Sequence, residues 1–146
     1  MRPVVYVLDT DILSIHQSEK GWEYERVRSR LDRVEPTSVF VAIVSLHEQA
    51  IGWHSYLQRA KNMEGLMHGY AKFERMLLDF TRLNILAFDQ GAADEFDRLT
   101  SLGVRIGAMD LRIAATALAN NCAVVTRNTV DFERVPGLRI EDWTVT

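Results

Sequence analysis

Two short β-branched runs without helical period, residues 4–8 (VVYVL) and 39–44 (VFVAIV), read as buried strands. After the second run, Ser45-Leu46-His47-Glu48 has the pattern of a capping box. Leu46, Ala50, Ile51, Trp53, Tyr56, Leu57 and Ala60 follow at near-helical spacing, so a helix is expected to start there. A further helix over 64–83 presents Leu66, Met67, Tyr70, Phe73, Leu77 and Phe80, and leads into a third strand at 84–88 (NILAF). Asp89 is placed to cap the next helix, which ends at Gly103, a residue that accepts the left-handed conformation. From Asp110 to Asn120 the chain is apolar almost all round, as expected for a helix packed between other elements. Residues 123–126 (AVVT) give a fourth strand and 138–140 a last extended segment. Strands alternating with helices predict a three-layer α/β/α domain with a mainly parallel central sheet, spanning 1–146 as one unit.

Composition narrows the class. With 146 residues, 47% of them apolar and 25% charged, the chain can bury one core and lacks the signature of disorder. A single cysteine, Cys122, excludes an internal disulfide and a Cys/His zinc site, and suits a reducing compartment. No apolar run reaches the ~18 residues of a membrane span, and the acids following Leu8 interrupt any signal-like start, so a cytoplasmic protein is expected. The net charge of −3 argues against nucleic-acid binding through bulk charge and leaves a local patch open. The cations are fourteen Arg against three Lys (Lys20, Lys61, Lys72), a bias toward the forked donor that suits phosphate and carboxylate. Arg112 and Arg127, beside acidic motifs, are candidate phosphate contacts, with a solvated or ion-paired role as the alternative.

Candidate chemistry gathers where the expected strands end. Asp9 follows the first strand in LDTDIL, Glu48 follows the second, Asp110 opens the apolar helix, and Asp131 follows the fourth strand in TRNTVDF, with Thr126 and Asn128 beside it. Each acid alone also fits a helix cap or a turn. Capping does not explain an acid after nearly every strand on one edge, the edge where open parallel sheets bind their ligands. Two carboxylates about 4 Å apart at an effective dielectric of about 20 repel by roughly 4 kcal/mol, so such a cluster calls for a cation. All-oxygen donors favour Mg²⁺ or Mn²⁺ over zinc, and hard cations point to phosphodiester or phosphoryl chemistry.

Taken in order and spacing, LDTDIL, SLHE, GAMDLRIAATAL and VVTRNTVDFERVPGLRIEDW resemble the PIN-domain ribonucleases, and most of all the VapC-type toxins of toxin–antitoxin pairs, over essentially the whole chain. The resemblance implies that Asp9, Glu48, Asp110 and Asp131 form an acidic metal site, with Thr126 and Asn128 alongside. It also implies an RNA substrate, a small antitoxin partner and a homodimer. Asp11 departs from the commoner polar residue and adds a fifth acid, either supporting the others or binding a second ion. The stretch 62–83 is long for the smallest relatives, and 21–35 is read as a loop that bears on base choice.

Rival readings come from other classes. Strand-Asp-Thr-Asp also resembles the nucleophile motif of haloacid-dehalogenase-like phosphatases, but no lysine follows Lys72 to complete it, which disfavours a receiver domain as well. Nucleotide-binding glycine loops and a G-x-S-x-G elbow are absent, and His16, His47, His54 and His68 have no metal spacing. A catalytically silent module that binds RNA or protein through the same fold is the non-enzymatic alternative, against which the intact acid set counts.

Overall fold

The computed structural model describes residues 3–145. Met1, Arg2 and Thr146, the ends of the expected 1–146 unit, lie outside the described residues. The elements in chain order are β1 (Tyr6–Leu8), α1 (Thr10–Ser18), α2 (Trp22–Leu31), a 3-10 turn at Pro36–Ser38, β2 (Val39–Ala42), α3 (Ile43–Arg59) and α4 (Met63–Thr81). They continue with β3 (Asn84–Leu86), α5 (Gln90–Ser101), α6 (Ala108–Ala119), β4 (Ala123–Val125), α7 (Thr129–Phe132) and β5 (Ile140–Glu141). All strand pairs are parallel, in the order β3-β2-β1-β4-β5.

Alternation along the short strands builds the two cores. Val7, Ala42 and Val124 face one side and pack with Leu99 of α5, Ile113, Ala114 and Ala117 of α6, and Phe132 of α7. Leu8, Val41 and Val125 face the other and pack with Ile12 and Leu13 of α1, Val27 of α2, Met76 and Phe80 of α4, and Trp143. A sheet buried on both faces between helices is the expected three-layer α/β/α architecture. Trp143 seals one end, edge-on to Tyr6 with ring centroids 5.0 Å apart and capped by the Arg30 guanidinium.

Asp89 caps α5 through Ala92 N at 3.2 Å, and Gly103, with φ +79°, follows its C-cap, both as expected. Three local expectations are corrected. The helix after β2 starts at Ile43, two residues before the capping-box pattern, with Ala42 as an N-cap that offers no side-chain acceptor. Ser45 is thus inside the helix and fully buried, and its hydroxyl meets Thr10 instead of a backbone amide. The stretch read as a loop over 21–35 contains helix α2, whose strongly polar sequence buries only Val27. Long-range contacts hold that helix: Arg26 donates to the Thr144 carbonyl at 2.7 Å and Arg30 pairs with Glu141 at 2.9 Å. The last strand starts two residues later than the segment 138–140, because the residues in register with β4 are Ile140 and Glu141, with the Arg139 carbonyl accepting from Val124 N at 2.9 Å just before them.

Candidate active site

The sheet order reverses between β1 and β4, so the crevice of this fold opens where those two strands end. Asp9 sits there. Its backbone N–H donates to Val125 O at 2.8 Å, which extends the β1–β4 ladder by one bond and fixes the side chain at the head of α1. One carboxylate oxygen accepts from Thr10 N at 2.8 Å and the other from the Thr126 hydroxyl at 2.8 Å. Asp9 is buried, 4% exposed, and Thr126 is wholly buried. Thr126 also accepts from Asn128 N at 2.9 Å, so the residues just past β4 position Asp9 from behind.

The other acids stand around this pair. Asp110 is the third residue of α6, which Gly107 caps, so Asp110 is not the capping residue and its carboxylate turns to partners outside the helix. Asp131 occupies the same place in α7. The Asn128 amide bridges them, donating to Asp110 Oδ2 at 3.1 Å and Asp131 Oδ2 at 2.9 Å. Glu48, in the second turn of α3 and not the first, accepts from the Thr10 hydroxyl at 2.5 Å, with Ser45 Oγ 3.0 Å from the same hydroxyl. Asp11 accepts from Arg127 N at 3.1 Å and from its own Ile12 N at 2.7 Å. All six expected site residues, Asp9, Glu48, Asp110, Thr126, Asn128 and Asp131, therefore belong to one hydrogen-bonded neighbourhood or touch its edge.

Electrostatics confirms the crowding. Burial pushes the Asp9 carboxyl up to about 7, with the neighbouring Asp11 and Asp110 charges adding to the rise against the hydrogen bonds from Thr126 and Thr10. Asp110 is raised by burial first, then by Glu48, with Asp131 and Asp11 contributing against the bond from Asn128. Asp11 is raised chiefly by burial, opposed by the bonds from Arg127 and Ile12. As the side chains stand, no three His, Cys, Asp or Glu among the described residues are gathered closely enough to enclose a metal ion. The Asn128 amide between Asp110 and Asp131 and the Thr10 hydroxyl on Glu48 satisfy the carboxylates that would converge.

The two expected phosphate contacts differ. Arg112 is half-buried on α6; its guanidinium makes one hydrogen bond, to Met109 Sδ at 3.6 Å, and pairs with no acid among the described residues. Arg127 carries an ion pair to Glu23 of α2, so its guanidinium is already engaged. Glu23, Thr10 and Ser45 were not singled out by sequence reasoning as parts of this site. Their contacts span 35 residues or more, and only the topology brings them together.

A cleft of about 540 Å³ opens from Thr10 and Glu48 and runs between α1, α3 and α4. No helix among the described residues is long and apolar enough to cross a membrane.

Comparison with known proteins places the fold in a family. The sequence matches the PIN domain over residues 6–138. It is 29% identical over 142 residues to the tRNA(fMet)-specific endonuclease VapC of Salmonella typhimurium, covering 94% of this chain and 97% of the relative. It is 27% identical over 146 residues to Ribonuclease VapC1 of Haemophilus influenzae strain R2866, covering 97% and 99%. The fold superposes on the crystal structure of DNA-bound VapBC from Salmonella typhimurium with a TM-score of 0.73 and 28% identity, over 97% of this chain and 99% of that one. With its crevice at the β1–β4 switch point and this match over nearly its whole length, the chain belongs to the PIN domain family.

Proposed function

We propose that the chain is a divalent-cation-dependent endoribonuclease, the toxin of a VapC-type toxin–antitoxin pair acting in the cytoplasm. The observation that carries the reading is Asp9: a carboxyl buried at the switch point, held by two donors yet pushed up to about 7 by burial and by further acids. Burying such a group among like charges is unfavourable without a cation, and function explains why it is kept. The nuclease names of the full-length relatives support the same activity.

Asp9 and Asp110 are the foremost candidates to hold the ion, with Asp131 and Glu48 completing an all-oxygen set that fits Mg²⁺ or Mn²⁺. Such an ion supplies Lewis-acid stabilisation of the phosphate and activation of water. The remaining work falls to the chain's own groups. Thr126 orients Asp9, Asn128 sets the spacing of Asp110 and Asp131, and Thr10 positions Glu48; either Asp131 or Glu48 can orient water in place of binding the ion. Arg112, free of any acid partner among the described residues, is the better candidate than Arg127 for the scissile phosphate.

The partner reading rests on structure as well as on the VapBC complexes. Met63, Met67, Tyr70 and Leu77 form an exposed stripe along α4 at successive spacings of four, three and seven residues. This is a surface for a protein, either an antitoxin or a second copy in a homodimer. The phosphatase alternative loses its ground with the PIN domain match. The test is cleavage of RNA by the purified chain with Mg²⁺ or Mn²⁺ and with chelator, starting with initiator tRNA because a relative is named for it. Binding of RNA without cleavage would favour the silent-module reading.

A further inference from the structure

The cleft beside the acids is built differently from the acid crevice. One wall is aromatic, with Trp53 and Tyr56 of α3 edge-to-face at 5.5 Å. Tyr56 lies against Gly69 of α4, where a Cβ would come within 2.9 Å of its ring, so the close approach of the two helices fixes that ring. Between α1 and α3 the lining includes an amide pair. Gln49 Nε2 donates to Gln17 Oε1 at 2.7 Å, and Gln17 Nε2 donates back at 3.3 Å. The rim carries Arg59 and Lys72, both exposed and without an acid partner among the described residues, whereas the neighbouring Arg75 is committed to Asp79 and Glu19.

Resting on the nuclease reading above, we infer that this cleft holds an unpaired nucleotide next to the scissile phosphate of the RNA. Thr10 and Glu48 line the cleft and also belong to the acid neighbourhood, so a strand whose phosphate lies at the acids can continue into it. A base stacks on the Trp53–Tyr56 wall, since single-stranded nucleic acid is held on aromatic faces. Gln17 and Gln49 satisfy each other when no base is present and can exchange that pairing for a base edge, because a carboxamide offers a donor and an acceptor side by side. Arg59 and Lys72 take the flanking phosphates in a protein whose net charge is −3. The cleft thus gives an acidic nuclease a local, single-strand-selective anchor, and the two glutamines give it a means of discriminating among bases.

The experiment compares the parent chain with R59Q/K72Q, with Q17L/Q49L, and with the control R98Q, whose ion pair lies on α5 away from the cleft. Steady-state cleavage of a single-stranded RNA with Mn²⁺ is measured across a salt series, with thermal unfolding to confirm folding. R59Q/K72Q is expected to raise KM about tenfold and to flatten the slope of log affinity against log salt by about 1.4, the value for two lost contacts on a single strand. Q17L/Q49L is expected to change the ranking of RNAs that differ in one base beside the cut. Unchanged KM, salt slope and base ranking on an RNA that the parent cleaves would overturn the cleft assignment and leave the nuclease reading intact. If the parent cleaves nothing, binding of the same oligonucleotide to D110N still decides the matter, and equal affinity with and without R59Q/K72Q overturns it. Cleft variants that keep RNA affinity but lose an antitoxin would also overturn it, in favour of a protein occupant.

Discussion

Replacing Asp9 by Asn should stabilise the cation-free fold above neutral pH and destabilise it slightly in acid. The Asp9 carboxyl rises from an ordinary 3.8 to about 7 in the folded chain, roughly three pH units. The native state therefore binds the extra proton between those values. Stability contributed by that proton is fully present below about pH 4 and is lost as pH rises through 7. At about 1.4 kcal/mol per unit the loss is at most about 4 kcal/mol. Asn has no charge to bury. It keeps an acceptor for Thr10 N but forfeits the acceptor for the Thr126 hydroxyl, at a cost of about 1 kcal/mol. With chelator at pH 8.5, D9N should be more stable than the parent by about 2–3 kcal/mol, a rise in Tm of roughly 4–12 °C for a domain of this size. At about pH 3, below both values, it should be less stable by about 1 kcal/mol. Denaturant unfolding at the two pH values checks this. A difference that does not change with pH would refute the claim that burial and the neighbouring acids push the Asp9 carboxyl up.

Further outcomes follow from the same site and from the α3–α4 contact. Mn²⁺ at a hundred times its Kd should stabilise the parent by about 2.7 kcal/mol, an effect that D9N should lose, as read by calorimetry and thermal melts. G69A should destabilise by about 1–3 kcal/mol, since the new methyl would stand 2.6 Å from Leu57 and 2.9 Å from Tyr56, and a melt within 1 °C of the parent would contradict that packing. An antitoxin that fills the acidic crevice with an Arg should bind more weakly in saturating Mn²⁺, by the same factor with which it weakens Mn²⁺ binding. Affinity indifferent to metal would mean that the antitoxin covers the crevice without entering it.

Much of this architecture is legible in the sequence because its signals are local. β-branched runs mark β1, β2 and β4, an all-round apolar segment marks α6, and Asp89 and Gly103 mark the ends of α5. The acids after the strands are legible for a topological reason, since a parallel sheet carries every strand end to one edge. What escaped sequence reasoning depends on distance in the chain. Helix α2 buries one residue and is held by Thr144 and Glu141, more than a hundred positions away. The capping-box pattern at Ser45 is overridden because helix α3 runs directly out of β2, and the Ser45 hydroxyl serves Thr10 instead. Arg127 looks like a phosphate ligand until Glu23 is brought beside it. The Asn128 bridge between Asp110 and Asp131 could be placed near the site from sequence, but its role as the spacer of two carboxylates is visible only in three dimensions.

The central claim is that the acids around Asp9 make one cation-dependent centre that cuts RNA. Its most direct measurement is the cleavage rate of a defined RNA as a function of Mn²⁺ concentration, for the parent and for D110N, which keeps the side-chain shape at the head of α6 and removes the charge. The parent should cleave in proportion to bound Mn²⁺ and stop in chelator. D110N, folded by its thermal melt, should lose at least about a hundredfold in rate, more than 2.7 kcal/mol of transition-state stabilisation, even at saturating metal. Equal rates for the two proteins at saturating Mn²⁺, or cleavage by the parent that persists in chelator, would contradict the account.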